Sequence, residues 1–303
     1  MKRHKPSILF LPAIVAVLAG CYQDAVYAPD LQLGITYTYL TDAPFPANEV
    51  RSVEVYVVDV AASTVSDTTL DSRPWVSLAT PRSRFDLMQL QQGRLALLGD
   101  LNLTAGVYRA IRITIDSDSS NVTFSDGSVA RVLWPNQGHI AIPVVVEAPL
   151  EVTDGGAVIV VDFDLALSFT TAENDPNYDF LFEPTIRAVN AAFTGSISGI
   201  INGKPGGDGV SEPLVGAAIT VFRYETLLPT DSLIPNASTY TDSTGFYRVG
   251  FLLPGFYTVQ VDTPDQETFG GLLAHDVEVF TGENFIFSVT LPANSAAWNP
   301  LWR

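Results

Sequence analysis

Apolar side chains return at every second position through most of this chain. An alternation of that kind fits a strand packed on one side and wetted on the other. In AVIVVDFDLAL, Ile159, Val161, Phe163 and Leu165 share one face, while Val158, Val160, Asp162 and Asp164 share the other. In YRAIRITIDS, Ile111, Ile113 and Ile115 alternate with Arg112, Thr114 and Asp116. The same period runs through LQLGITYTYL, VRSVEVYVVDV, SVARVLW and IAIPVVVE, broken by clusters of turn residues such as TDAPFPAN and SDSSN. The pattern predicts half-buried strands of antiparallel sheets. Only DLMQLQQG has room for a short helix. Many strands at this spacing without helices between them imply an all-β chain of two antiparallel β-sandwich domains in tandem.

The first domain is expected over residues 31–192. Four of its segments, YLTDAPFPANEVRSVEVYVVDV, RFDLMQLQQGRLALLGDLNLTAGVYRAIRITID, VIVVDFDL and FEPTIRAVN, together resemble a family of bacterial lipoprotein domains with no assigned function. The second domain is expected over 193–291, where the texture changes to GSISGIINGKPGGDG and then PLVGAAITVF, TYTDSTGFYRVGFLLPGFYTVQVDT and ENFIFSVTLP. That order is similar to the transthyretin-like module of the carboxypeptidase regulatory domain, a fold grouped with carbohydrate-binding modules. Val215-Gly216-Ala217, the turn from Thr241 to Gly245, Tyr247, and the hairpin tip from Leu252 to Tyr257 carry the likeness.

The local physics of that second stretch is readable without the likeness. Asp242 can close an Asx turn and Gly245 can take positive φ, so TDSTG reverses the chain. Pro254-Gly255 then sets a second tight turn. Parity sends Tyr247, Val249, Tyr257, Val259 and Val261 inward and leaves Phe246, Arg248, Phe256, Thr258 and Gln260 outward. Two aromatic rings, Phe246 and Phe256, thus fall on the solvent side, where an aromatic face can stack on a sugar ring or cover a neighbouring loop.

The start of the chain has its own organisation. Lys2, Arg3 and Lys5 precede an apolar run from Ile8 to Leu18, followed by the small residues Ala19 and Gly20 and then Cys21, the only cysteine. This is the layout of a secretory signal, and the run is too short for a membrane span of roughly 20 residues. Leu18-Ala19-Gly20-Cys21 resembles the lipobox of bacterial lipoproteins, which implies cleavage after residue 20, acylation of Cys21 and contact with membrane lipid through it. Residues 21–30 would then be a tether. Tyr22 stands where aspartate marks inner-membrane retention in the lipoproteins this resembles, so the expected location is the cell envelope, at the outer membrane. A lone cysteine cannot build a disulfide framework.

Without residues 1–20, 13 basic groups face 33 acidic ones, a formal charge of −20. Such a chain repels phosphate backbones, which argues against nucleic acid as a partner. With 47% hydrophobic residues the core is ample, so the acids read as a solvated surface rather than as disorder.

Catalytic arrangements are scarce. Past residue 20 only His139 and His275 remain, neither in a zinc spacing, and GSISG has Ile197 where a nucleophile elbow needs serine. Carboxylates are plentiful: Asp162 and Asp164 on one strand face, and Asp116 and Asp118 with Asn121 in DSDSSN. Together these oxygens are a weak candidate cation site, against the plainer account that Asp, Ser and Asn suit a wet turn. In related modules of Gram-positive pili a strand lysine is cross-linked to asparagine with help from an acid. Lys204 lies in the expected NGKPGG loop and Val261 stands where the acid would be, so a solvated lysine is the better account. The 292–303 tail carries Trp298 and Trp302, which either pack or offer a contact. The expectation is a non-enzymatic, lipid-anchored envelope protein with no cofactor. It would bind or scaffold, with carbohydrate or an envelope protein as candidate partner; a structural spacer is the alternative and an enzyme the third possibility.

Overall fold

The computed structural model describes residues 33–43, 49–66, 74–173, 175–205, 210–223 and 235–293. The expected signal, Cys21 with its tether, and Trp298 and Trp302 lie outside them. In the first half the strands are β1 (Leu33–Ala43), β2 (Val50–Ser63), β3 (Val76–Ala79), β4 (Ser83–Asp86), β5 (Ala96–Thr104) and β6 (Gly106–Phe124), then β7 (Val132–Leu133), β8 (His139–Val152), β9 (Ala157–Asp164), β10 (Phe169–Thr171), β11 (Phe180–Phe182) and β12 (Ile186–Asn190). They form a sheet in the order β12-β9-β1-β5, a second in the order β3-β2-β6-β8 with β4 also on β2, and a small third, β10-β11-β7. One core lies within this half, with Val53, Val55 and Val57 of β2, Ile111, Ile113 and Ile115 of β6, and Ile159, Val161 and Phe163 of β9. Each fully buried side chain of this kind stabilises the fold by about 1.5–3 kcal/mol, so strict parity along three strands fixes which face turns inward.

Two expectations for this half need correction. The β9 strand is not half-buried: from Ile159 to Asp164 every residue is buried. It pairs in parallel with β1 and antiparallel with β12, a central position covered on both sides, which explains the unbroken AVIVV run. SDSSN is not a break between strands either. The β6 strand continues through it as a bulge, with Tyr56 opposite Asp116 and Glu54 opposite Asn121. DLMQLQQG supplies a single 3-10 turn, Leu87–Gln89, whose N-cap Asp86 accepts from Met88 N.

The second half comprises β13 (Gly195–Lys204), β14 (Glu212–Pro213), β15 (Ala218–Arg223), β16 (Pro235–Tyr240), β17 (Phe246–Leu252), β18 (Gly255–Asp262), β19 (Leu272–Val279), β20 (Asn284–Ile286) and β21 (Val289–Pro292). In one sheet β17 and β14 pair with successive parts of β13, and β20 and β21 pair with the same parts from its opposite edge; the facing sheet is β16-β15-β18-β19. Antiparallel pairs dominate, but β20 and β21 join β13 in parallel. A second core, separate from the first, holds Ile197, Tyr247, Val249, Tyr257, Val259 and Val261. In the TDSTG turn Asp242 Oδ1 accepts from Thr244 N at 2.8 Å and Phe246 N at 3.1 Å, while Gly245 takes φ 74°. Thr258 departs from the expected parity. It is buried because Phe222 stands opposite it and its hydroxyl meets His275 Nδ1 at 3.1 Å. Lys204 is the exposed last residue of β13, opposite Pro292, rather than a loop residue.

Candidate functional site

The outer face of the β12-β9-β1-β5 sheet meets the second half, and the meeting surface is polar at its centre. Alternation along β9 puts Asp162 and Asp164 on this face, and the β9–β12 register sets Arg187 directly opposite Asp162. Arg187 Nε donates to Asp162 Oδ2 at 2.7 Å. Its two remaining nitrogens cross to the second half, where Nη1 donates to the carbonyl of Phe251 at 2.7 Å and Nη2 to that of Gly250 at 2.9 Å. The planar five-donor guanidinium suits such a fork, which a lysine could not reproduce.

Asp164 makes the second tie. Its Oδ1 caps the one-turn helix Leu165–Ser168 by accepting from Leu167 N at 3.0 Å, and its Oδ2 accepts from Ser238 Oγ of β16 at 3.1 Å. Asp42, from the neighbouring β1, accepts from Leu165 N at 3.2 Å. All three carboxylates are buried: Asp42 is 4% exposed, Asp162 7% and Asp164 8%. Burial pushes the Asp164 carboxyl up to about 6. Asp162 nearby adds to the rise, against the hydrogen bonds from Leu167 and Ser238 and the charge of Arg187. The arrangement is a clasp: an ion pair and a capped acid on one half grip backbone and a hydroxyl on the other.

Beside the clasp lies a groove of about 170 Å³, lined in part by Ser196, Arg248, Phe251 and Asn284.

The other residues singled out from the sequence are dispersed. Asp116, Asp118 and Asn121 sit on the β6 bulge in the opposite sheet from Asp162 and Asp164, so the five proposed oxygen ligands are not brought together. The Asp116 carboxylate accepts from Asp118 N at 3.2 Å and from Ser119 Oγ at 2.8 Å, and Asn121 donates to Glu54. Among the described residues, no group of three or more His, Cys, Asp and Glu side chains is placed to hold a metal ion. Phe256 is 49% exposed and Phe246 half-buried. They stand on different sheets, Phe246 at the start of β17 and Phe256 at the start of β18, and the expected hairpin of these two strands is instead a crossing between the sheets, so one flat surface cannot carry both. His139 and His275 are exposed.

Arg187 and Asp42 escaped the sequence reading. Each sits in a quoted segment, FEPTIRAVN and YLTDAPFPANEVRSVEVYVVDV, but nothing in a local period separates a clasp arginine from a wet one.

Residues 34–184 match the model of a family described as a domain of unknown function (DUF4382), in line with the resemblance of the first half. A search of the curated proteins found no match. Among solved structures, similarity is found to the minor pilin GBS52 of Streptococcus agalactiae, at 10% identity over 88% of this chain and 99% of that one, with a TM-score of 0.26. The TIE protein of Bacillus anthracis gives 11% identity over 86% of this chain and 41% of that one, with a TM-score of 0.26. The shaft pilin SpaA of Lactobacillus rhamnosus GG gives 9%, 87% and 98%, with a TM-score of 0.24.

Proposed function

Starting from a chain whose first half carries a DUF4382 domain, we propose a non-enzymatic, lipid-anchored protein of the bacterial cell envelope, at the outer membrane, that binds or scaffolds, with carbohydrate as the candidate ligand. The observation that supports it best is the occupation of the buried carboxylates. Asp162 is engaged by Arg187, Asp164 by Leu167 N and Ser238, and Asp42 by Leu165 N, so the acids best placed for proton transfer hold the fold together instead. The same clasp favours the second reading, a spacer or assembly partner, because two sandwiches tied across a polar seam transmit force as one body.

The anchor is the most direct part to test. Acyl chains on Cys21 bury many methylenes at about 0.8 kcal/mol each, enough for stable attachment when there is more than one chain. Wild-type protein is expected in the detergent phase of a phase-partition assay, with the signal removed, and Cys21→Ser in the aqueous phase or retained uncleaved. Recovery of the wild type in the aqueous phase would overturn the anchor.

A further inference from the structure

The backbone gripped by Arg187 is itself irregular. Between Val249 and Leu252 the β17 strand spends two residues, Gly250 and Phe251, opposite the single Ser196 of β13. This bulge holds Phe251 at φ 56°, a left-handed conformation that a bulky side chain adopts only under constraint. Phe251 is half-buried and stands outside the second core. It lines the adjoining groove of about 170 Å³, together with Gly93, Gly250, Ser196, Arg248 and Asn284.

The lining carries hydroxyl, amide and guanidinium groups, with the Glu283 carboxylate among them. Asn284 Nδ2 donates to Ser198 Oγ at 2.8 Å, Ser196 Oγ donates to Asn284 Oδ1 at 2.7 Å, and Arg248 Nη2 reaches Ser196 Oγ at 3.4 Å. Among the described residues Arg248 makes no ion pair, and its five-donor guanidinium has more donors than the one bond to Ser196 uses. A side chain at Gly93 would begin against Arg248 Cδ and Nε, at 3.7 Å, so the glycine leaves the Arg248 stem room at the groove wall. We propose that this groove is a subsite for one neutral pyranose residue of an envelope polysaccharide. The proposal rests on the binding reading above and moves its centre from Phe246 and Phe256 to Phe251. Phe251 supplies the apolar contact, Arg248 and Asn284 meet the hydroxyls, and the groove has room for one ring within it. A formal charge of −20 after residue 20 disfavours an acidic sugar.

The test uses the full chain in detergent and a panel of neutral methyl glycosides plus glucuronic acid, read by saturation-transfer NMR, beside retention on neutral polysaccharide. At least one neutral glycoside is expected to bind. Phe251→Gly, which places the residue best suited to positive φ at that bend, and Arg248→Gln should each weaken it at least tenfold with little change in Tm, and Phe256→Ser should leave it unchanged. Unaltered binding in the two groove variants would overturn the subsite while leaving the binding reading standing, as would retention on polysaccharide without any glycoside signal. Binding of glucuronic acid alone would overturn the choice of a neutral sugar. Absence of both glycoside signal and polysaccharide retention in the wild type would sink the subsite and the carbohydrate reading together.

Discussion

Asp164 holds its proton more tightly in the folded chain, at about 6, than at its ordinary value of 3.8, because burial outweighs its hydrogen bonds. An acid shifted upward contributes most favourably while protonated. Its contribution is therefore complete below about pH 4, declines as pH rises to about 6 and stays low above, a difference of roughly 3 kcal/mol at 1.36 kcal/mol per unit. Asp164→Asn keeps an acceptor for Leu167 N and offers an amide in place of the second oxygen. Thermal melts of the variant should show a higher Tm than wild type at pH 7.5 and a flatter profile between pH 4 and 6. A lower Tm at pH 7.5 would mean that the ionised carboxylate is what Ser238 and Arg187 require. The carboxylates themselves were legible in the alternation, but their burial was not. The surface that covers them comes from Ser238 and Gly250-Phe251, more than 60 positions further along the chain, and no local period records that.

Strand period and facing were readable because both are decided within a few residues; partners and interruptions were not, because they depend on contacts distant in sequence. Alternation could not foretell that β9 would run parallel to β1, nor that β6 would pass through SDSSN without ending. The bulge survives because its own side chains replace the missing ladder bonds: Ser120 Oγ donates to the Asp116 carbonyl at 2.7 Å and accepts from Tyr56 N at 2.9 Å, while the Asp116 carboxylate closes the bend. Asp116→Ala removes the two carboxylate bonds, from Asp118 N and Ser119 Oγ, and should cost about 1–2 kcal/mol in urea unfolding, with faster amide exchange confined to residues 116–121. Added calcium should leave the wild-type Tm unchanged. A calcium-dependent rise that disappears in the variant would restore a cation role for Asp116, Asp118 and Asn121.

The two cores are distinct, yet the described residues belong to one compact unit. Arg187 is the side chain that ties one to the other through both an acid and two carbonyls. Arg187→Ala leaves Asp162 buried without its partner, which should cost about 3–5 kcal/mol. Calorimetry of that variant is expected to resolve two transitions where the wild type shows one, and fragments ending or beginning near 192–195 should each fold. An unchanged single transition in Arg187→Ala would show that the halves are coupled elsewhere. The grip on Gly250 and Phe251 is on main-chain oxygens, which every residue type presents alike. What the first half recognises in the second at that point is a bend in the backbone, not an amino-acid identity. Gene fusions that exchange the second half would, Ser238 apart, need to preserve a bulge in one strand rather than a set of matched side chains, so this seam tolerates recombination as a side-chain lock would not.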